Sequence, residues 1–175
     1  AGTNQVATGN GRVYTTGYAF PSPSATVAAY DLQTGSRLWA TNIPSGSSIN
    51  PPSYHRGRVY MQRGKANTES PDLRCFDAAT GASQWIAPFG AQWNAHYAPA
   101  VDDSGIYVNG GGGGGIYGFN FDGSQRFFQG LEQFDQWTPL LHEGSVYSWV
   151  SSSFRRHDPV SGQVLVAGEV VSTLP

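Results

Sequence analysis

Residues 29–39 read Ala29-Tyr30-Asp31-Leu32-Gln33-Thr34-Gly35-Ser36-Arg37-Leu38-Trp39, and this stretch decides the fold. An Asp four residues before a Gly is typical of a tight turn. The carboxylate accepts backbone N–H bonds, and the Gly takes the positive φ that the reversal needs. Tyr30 before the turn and Trp39 after it are residues that favour strands. The stretch therefore predicts two antiparallel strands that are joined by residues 31–35.

The same turn pattern recurs three more times along the chain. The further copies are Phe76-Asp77-Ala78-Ala79-Thr80-Gly81, then Phe119-Asn120-Phe121-Asp122-Gly123, which is one residue shorter, and His157-Asp158-Pro159-Val160-Ser161-Gly162. Each copy is followed by an outer strand that carries a large residue. These residues are Trp39, Trp85, Phe127 and Val166. The pattern therefore indicates a fourfold internal repeat.

A short strand of Val-Tyr type precedes each turn. Its apolar residues are Val13, Val59, Ile106 and Val146, which lie 46, 47 and 40 residues apart. This spacing fits the period of about 40–50 residues of propeller blades. Seven residues before the last three stand Pro52, Pro99 and Pro139. Because proline lacks an amide donor, it suits the first residue of an innermost strand.

The repeat predicts an all-β fold, a β-propeller of four-stranded blades with four blades in this chain. Its strands do not alternate cleanly between apolar and polar residues, as expected for sheets that neighbours cover on both faces. We therefore predict a single propeller segment over residues 1–175, with blades at approximately 4–45, 50–90, 97–131 and 137–171.

The charge and hydrophobicity of the chain argue against two classes of partner, nucleic acids and the membrane interior. The chain carries 13% charged residues and a net charge of −2, and its one basic pair is Arg155-Arg156. A nucleic-acid partner is therefore not expected. No apolar run approaches the roughly 20 residues of a membrane span. The lone Cys75 excludes an internal disulfide and a Cys-based zinc cluster.

Residues 29–39 resemble the tryptophan-docking repeat A-x-D-x-x-T-G-x-x-x-W of the quinoprotein-like (PQQ-type) propeller family. Residues 75–85 match this repeat from Asp77 onward, whereas the third and fourth copies lack the Trp. In that family the Trp packs between adjacent blades and the turn supports it. The resemblance therefore implies structural roles for Asp31, Gly35, Trp39, Asp77, Gly81, Trp85, Asp158 and Gly162.

The family contains quinone-dependent alcohol and sugar dehydrogenases, and also cofactor-free propellers such as an envelope lipoprotein that assists outer-membrane barrel assembly. The dehydrogenases typically hold the quinone between a Trp and, in many members, a vicinal disulfide, beside a catalytic Asp and a metal. This chain has no Cys-Cys pair, and no motif places those residues. No metal site and no cofactor are predicted, and PQQ with calcium belongs only to the dehydrogenase alternative. The resemblance implies a bacterial periplasmic, outer-membrane-associated or extracellular location.

Rings of this family typically have seven or eight blades, so four blades form part or half of a ring. An open arc would expose two apolar blade faces, and such patches are unusual on monomers. We therefore expect another copy of the chain, or a second chain, to complete the ring. Two arcs of four blades would give eight.

Two aromatic segments lie where the outer strand of one blade leads to the inner strand of the next. They contribute the candidate ligand or partner residues Trp93, His96, Tyr97, Phe134, Asp135 and Trp137. Tyr and Trp are common at binding hot spots, but Trp93 and Trp137 equally suit packing between blades. His96 and Asp135 suit an acid–base or metal pair, or a structural histidine.

Three further features complete the sequence-based expectations. The run from Gly110 to Gly115 is expected to form a flexible loop between second and third strands. His55, His142 and His157 are expected at the solvated surface of the opposite side. Nucleophile and metalloprotease motifs are absent.

The function predicted from these features is a non-catalytic scaffold or binding module for a protein or polymer, which acts through its loops. The alternatives are part of a PQQ-dependent dehydrogenase that oxidises alcohols or sugars, and a carbohydrate-binding propeller. The missing motifs weigh against an enzyme.

Overall fold

The computed structural model describes residues 5–18, 24–44, 50–64, 70–91, 97–132 and 137–169. These residues form sixteen strands. The strands are β1 Ala7–Gly9, β2 Arg12–Tyr18, β3 Ser24–Asp31, β4 Arg37–Pro44, β5 Ser53–His55, β6 Arg58–Arg63, β7 Asp72–Asp77, β8 Ser83–Pro88, β9 Ala100–Asp102, β10 Gly105–Asn109, β11 Gly115–Phe119, β12 Gln125–Gly130, β13 Leu140–His142, β14 Ser145–Val150, β15 Ser153–His157 and β16 Val164–Glu169.

Four consecutive strands pair antiparallel in each of four sheets. Blade 1 contains β1–β4, blade 2 β5–β8, blade 3 β9–β12 and blade 4 β13–β16. The prediction of a propeller built from four-stranded blades is confirmed. The buried prolines Pro52, Pro99 and Pro139 each directly precede an inner strand, which begins one residue later.

The repeated turn has the geometry that its residues favour. The Asp31 carboxylate accepts bonds from the Thr34 amide at 2.7 Å, the Thr34 hydroxyl at 2.9 Å and the Gln33 amide at 3.1 Å. These bonds favour the charged form and hold the pKa of Asp31 below its usual range. Gly35 closes the turn with φ of 70°. The Asp77 turn repeats the same three bonds with Thr80 and Ala79.

Each sheet presents two faces, and adjacent blades pack face to face. We call the face toward the next blade the front and the face toward the preceding blade the back. Three separate apolar clusters fill the seams between blades 1 and 2, blades 2 and 3, and blades 3 and 4. Tyr14, Tyr60 and Tyr107 hold the same place on the fronts of blades 1 to 3 and are almost completely buried. These clusters form the core of the molecule.

A polar contact accompanies each apolar seam. The Trp39 indole Nε1 and the Arg12 guanidinium both donate to the Ala78 carbonyl of blade 2, each at 3.1 Å. At the next seam the Trp85 indole and Arg58 donate to the Phe121 carbonyl at 2.9 and 3.1 Å. Each acceptor carbonyl belongs to the residue directly after the Asp or Asn of the turn. We call this contact the seam latch.

At the third seam the outer strand carries Phe127 at the position of Trp39 and Trp85. Here Tyr107 and Arg126 donate to the Pro159 carbonyl at 3.0 and 2.9 Å. The latch is therefore kept with different donors. Trp39 and Trp85 thus contact the next blade through their indole N–H groups.

The four blades form an open arc. In the part of the chain that the structure describes, contacts between inner strands run from β1 to β5, from β5 to β9 and from β9 to β13, and none as extensive joins β13 to β1. Among the described residues, no further blade therefore packs on the front of blade 4 or on the back of blade 1.

Candidate partner-binding loop face

Two sets of connections lie at one end of the arc: those between the second and third strands of a blade, and those between the outer strand of one blade and the inner strand of the next. Each inner strand starts there, each second strand ends there, and each outer strand ends there. We call this end the loop face, and the end with the Asp–Gly turns the turn face. Loops on such an end carry the binding residues of many scaffolds.

Buried polar side chains lie directly beneath the loop face. Thr16, Gln62 and Asn109 each stand two residues after the buried tyrosine of their second strand, and each is at most 7% exposed. The Thr16 hydroxyl donates to the Asn50 carbonyl at 2.7 Å. The Gln62 amide donates to the Tyr97 carbonyl at 2.6 Å. Two blade-to-blade connections are thus fixed to the strands below them.

Further bonds link these connections to one another. Asn50 donates through its side-chain amide to the Gln62 carbonyl at 3.0 Å. The Thr138 hydroxyl, from the connection between blades 3 and 4, donates to the Ala98 carbonyl at 3.0 Å. The Asn50 bond is buried and therefore costly to break, whereas the Thr138 bond is exposed.

The structure describes two of the six candidate residues. Tyr97 lies on the loop face and is 40% exposed, whereas Trp137 is 9% exposed and packs within the cluster between blades 3 and 4. For Trp137, packing between blades is therefore the interpretation that fits. Trp93, His96, Phe134 and Asp135 lie outside the described residues.

The six-glycine run also belongs to the loop face, and it forms the predicted loop between the second and third strands of its blade. Its flexibility stays a prediction. The Gly111 amide donates to the Gly90 carbonyl at 2.7 Å. A Cβ at Gly111 or Gly115 would lie 2.6 or 2.5 Å from the Phe128 ring. These glycines allow a compact turn to pack closely against its neighbours, a contact that sequence alone does not reveal.

One ion pair ties the loop face to blade 4. The Arg155 guanidinium lies 2.6 Å from the Glu132 carboxylate, and the Arg155 side chain is only 13% exposed. Glu132 belongs to the connection between blades 3 and 4. The pair therefore links Glu132 of this connection to the third strand of blade 4.

The histidines on the turn face have separate environments. The His55 Nε2 lies 3.0 Å from the Asp103 carboxylate, and the exposed His142 lies 3.6 Å from Glu143. The expected surface position of His157 is wrong, because its ring is fully buried between the sheets of blades 3 and 4. His157 stands where blades 2 and 3 have a buried Phe before the turn, so its ring occupies a core position.

The metal-ligating side chains of the described residues are not gathered into one cluster. No group of three or more His, Cys, Asp or Glu in the described ranges could hold a metal ion. Burial raises the pKa of Cys75 to about 11, so its thiol is not ionised near neutral pH. With a single cysteine in the chain, these residues do not fit the disulfide and metal that accompany a quinone. No helix among them is long and apolar enough to cross a membrane.

Sequence reasoning missed Thr16, Gln62 and Asn109. Their signal is a polar residue two positions after the tyrosine of each Val-Tyr strand in the first three repeats. The fourth repeat departs from it with Trp149. The sequence alone gives a polar residue at this position no evident role, because only the fold shows that it lies beneath a loop backbone.

Comparisons with known proteins give a family and a fold. The family model described as outer membrane protein assembly factor BamB matches residues 69–165, which is more than half of the chain. No curated protein matches the sequence.

Three solved structures illustrate the fold. BamB from Moraxella catarrhalis superimposes with a TM-score of 0.74 at 17% identity, over 95% of this chain and 48% of that one. The computationally designed protein Ika8 gives 0.68 at 13% identity, over 94% and 61%. The quinohemoprotein alcohol dehydrogenase from Comamonas testosteroni gives 0.68 at 16% identity, over 95% and 35%. The chain thus spans less than two thirds of each of these structures.

Proposed function

The chain belongs to the family of the outer membrane protein assembly factor BamB, and on this premise we propose that it is a non-catalytic scaffold that binds a protein through its loop face. The family and its structural relatives support a location in the cell envelope. The partner that we propose is a protein component of outer-membrane protein assembly.

The observation that carries this proposal is the hydrogen-bonded layer under the loops. Gln62 and Thr16 are almost completely buried and hold the Tyr97 and Asn50 carbonyls. A surface that is ordered before binding pays less conformational entropy when a partner docks. Such a layer suits the binding of a partner, and this supports the proposal.

The exposed aromatic side chain on this layer suits a protein partner. Tyr97 is 40% exposed, and Trp93 stands four residues before it in the same connection. Aromatic side chains dominate binding energies at protein interfaces because they bury large areas with few rotatable bonds. We propose that this connection contributes the central contacts.

The quinoprotein and carbohydrate alternatives have less support. The likeness to the Comamonas testosteroni enzyme at 16% identity concerns the fold alone. No described residue provides the metal ligands or the vicinal disulfide of that enzyme class, so we derive no reaction. Incubation with PQQ and calcium should give no dye reduction with alcohols or aldoses. Sustained turnover would favour the dehydrogenase alternative.

The binding proposal can be tested with purified components of a bacterial outer-membrane assembly machinery, immobilised on a biosensor. Trp93→Ala and Tyr97→Ala should each weaken binding by about tenfold or more, as expected of hot-spot residues. Val160→Ala is the matched control, because Val160 is 64% exposed on the turn face. Its affinity should equal that of the unmodified chain.

Trp137→Ala is unsuitable as a binding probe, because Trp137 is part of the core between blades 3 and 4. If none of the components binds, or if Val160→Ala weakens binding as much as the loop-face variants do, the proposed site is rejected.

A further inference from the structure

Three charged side chains are buried at the loop-face end of blade 2. Arg63 ends β6 there, and Asp72 and Arg74 lie in the first half of β7. They alternate with Met61 and Phe76, which are buried against blade 1, so all of them point toward blade 1. The three charged side chains are at most 8% exposed. Since a buried charge is costly unless it is paired, the contacts of this cluster decide what it can bind.

The two arginines share the Asp72 carboxylate. Arg63 donates to its Oδ2 through Nε at 2.8 Å and Nη2 at 2.5 Å. Arg74 donates through Nε to Oδ1 at 2.6 Å and through Nη2 to Oδ2 at 3.0 Å. The three side chains together carry one net positive charge. Because Arg74 uses Nε and Nη2 for Asp72, its Nη1 is left for a further acceptor.

The cluster borders a cavity of about 410 Å³ at the seam between blades 1 and 2. Its other walls include Pro44, which ends β4, and Pro88, which ends β8. Ile86 pairs with Arg74 across the sheet, and Pro88 pairs with Asp72, so these side chains share one face. Ile86 is 50% exposed. The cavity therefore combines apolar walls with a net positive side, and it lies at the loop face.

We propose that this cavity binds an acidic side chain of the protein partner together with the apolar residues that flank it. The partner's carboxylate accepts a charge-assisted hydrogen bond from the Arg74 Nη1, and its apolar neighbours pack on Ile86, Pro44 and Pro88. Charge complementarity selects the carboxylate, whereas an inorganic anion would leave the apolar walls uncovered. The inference rests on the proposed function, since it takes the ligand to belong to a protein.

A pair of short peptides tests this chemistry without the partner. The probe is an acetylated and amidated peptide with one glutamate between two leucines, and its counterpart with glutamine is the uncharged control. Heteronuclear NMR of the isotope-labelled chain follows the Nε–H signals of the arginine side chains. The glutamate peptide should shift the Arg74 signal saturably, and the glutamine peptide should bind about tenfold or more weakly.

Arg74→Gln removes the proposed donor while Arg63 keeps both bonds to Asp72. It should raise the dissociation constant of the glutamate peptide by about tenfold or more. Arg56→Gln is the matched control, because the Arg56 side chain is 70% exposed on the turn face. Its affinity for the peptide should equal that of the unmodified chain.

Ile86→Glu tests the site at an exposed position, where a charge is tolerated by the fold. The new carboxylate stands opposite Arg74 and should compete with the peptide, so that binding is lost. Leu165→Glu is its control, since Leu165 is also 50% exposed on an outer strand, in blade 4. This variant should bind the peptide normally.

The absence of a saturable shift, equal affinity for the two peptides, or unchanged binding in Arg74→Gln and Ile86→Glu would overturn the proposal. Inorganic phosphate that binds as tightly as the glutamate peptide would also overturn it, because the apolar walls would then contribute nothing. The titration needs no partner protein. Its failure is therefore distinct from a failure of the biosensor experiment, which depends on Tyr97.

Discussion

At the residue scale, His157 shows how one polar side chain is accommodated in an apolar seam. The Gly162 carbonyl only accepts, so His157 donates to it through Nδ1 at 3.0 Å, and the Ser148 hydroxyl donates to Nε2 at 2.8 Å. Both ring nitrogens are therefore satisfied in the neutral form. Burial holds the pKa of His157 below its usual value, and the positive charge of Arg155 acts in the same direction.

The lowered pKa predicts that stability falls in mildly acidic solution. The unfolded chain takes up this proton near the usual pKa of about 6.5, whereas the folded chain takes it up only at lower pH. The contribution is thus fully present above about pH 6.5 and is lost as pH falls below it. The free energy of unfolding should decline by up to about 1.4 kcal/mol per pH unit there.

His157→Phe is the matched control, because Phe76 and Phe119 hold the same place in blades 2 and 3. Urea unfolding between pH 7 and pH 5 should show a clear slope for the unmodified chain and a flatter one for the variant. Equal slopes would mean that His157 is not the group that titrates.

At the element scale, the repeated turn serves both its own blade and the preceding one. Gly81 has φ of 74°, and a Cβ there would lie 2.5 Å from the Trp39 ring of blade 1. Gly35 has nearly the same φ of 70° but open space around it. Both glycines need a positive φ, but only Gly81 is also packed closely against a neighbouring side chain. A comparison of the two positions therefore distinguishes the cost of the backbone conformation from the cost of a steric clash.

Replacement of each glycine by alanine should give unequal losses. Gly35→Ala should cost about 1 kcal/mol, the usual penalty for an L-residue in the left-handed region. Gly81→Ala should cost about 2–4 kcal/mol, because the clash with Trp39 adds to that strain. In a Trp39→Ala background the cost of Gly81→Ala should fall, but it should stay above that of Gly35→Ala because the Thr41 Oγ1 also lies 2.8 Å from the same Cβ position. Urea unfolding of the four variants measures this coupling, and equal costs in both backgrounds would contradict it.

Sequence reasoning correctly predicted the elements whose structure is determined by residues close together in the chain. The turn from Asp31 to Gly35 forms through bonds within four residues, so its repetition could be recognised without a structure. The burial of His157 and Trp137 depends on a neighbouring blade, and so does the compact turn of the glycine run. For His157 a signal was present, since Phe stands at that place in two other copies.

Only part of the candidate site was predictable. The pattern identified the connection that contains Tyr97 because of its aromatic residues. The hydrogen bonds by which Gln62 and Thr16 hold the loop-face connections could not be predicted, because their acceptors lie 35 and 34 positions along the chain. Long-range hydrogen bonds of this kind follow from the stacking of blades, which a single sequence does not specify residue by residue.

At the scale of the whole molecule, stability should resemble that of a repeat protein. The three seam clusters are separate, so each blade gains stability mainly from its nearest neighbours. The seam between blades 3 and 4 differs from the others, because Phe127 replaces the tryptophan and offers no indole donor. A change confined to this seam should therefore loosen one end of the arc.

Phe127→Ala tests this nearest-neighbour behaviour. Phe127 is 8% exposed and packs against Tyr107 and Gly162, and truncation of a buried Phe typically costs about 3–5 kcal/mol. Hydrogen exchange followed by mass spectrometry should show faster exchange in β13–β16, while β1–β4 keep their protection. Trp39→Ala should give the opposite distribution, with faster exchange in β1–β4, because it weakens the seam at the other end. If either variant accelerates exchange equally in all four blades, the arc unfolds as one cooperative unit and the additive description fails.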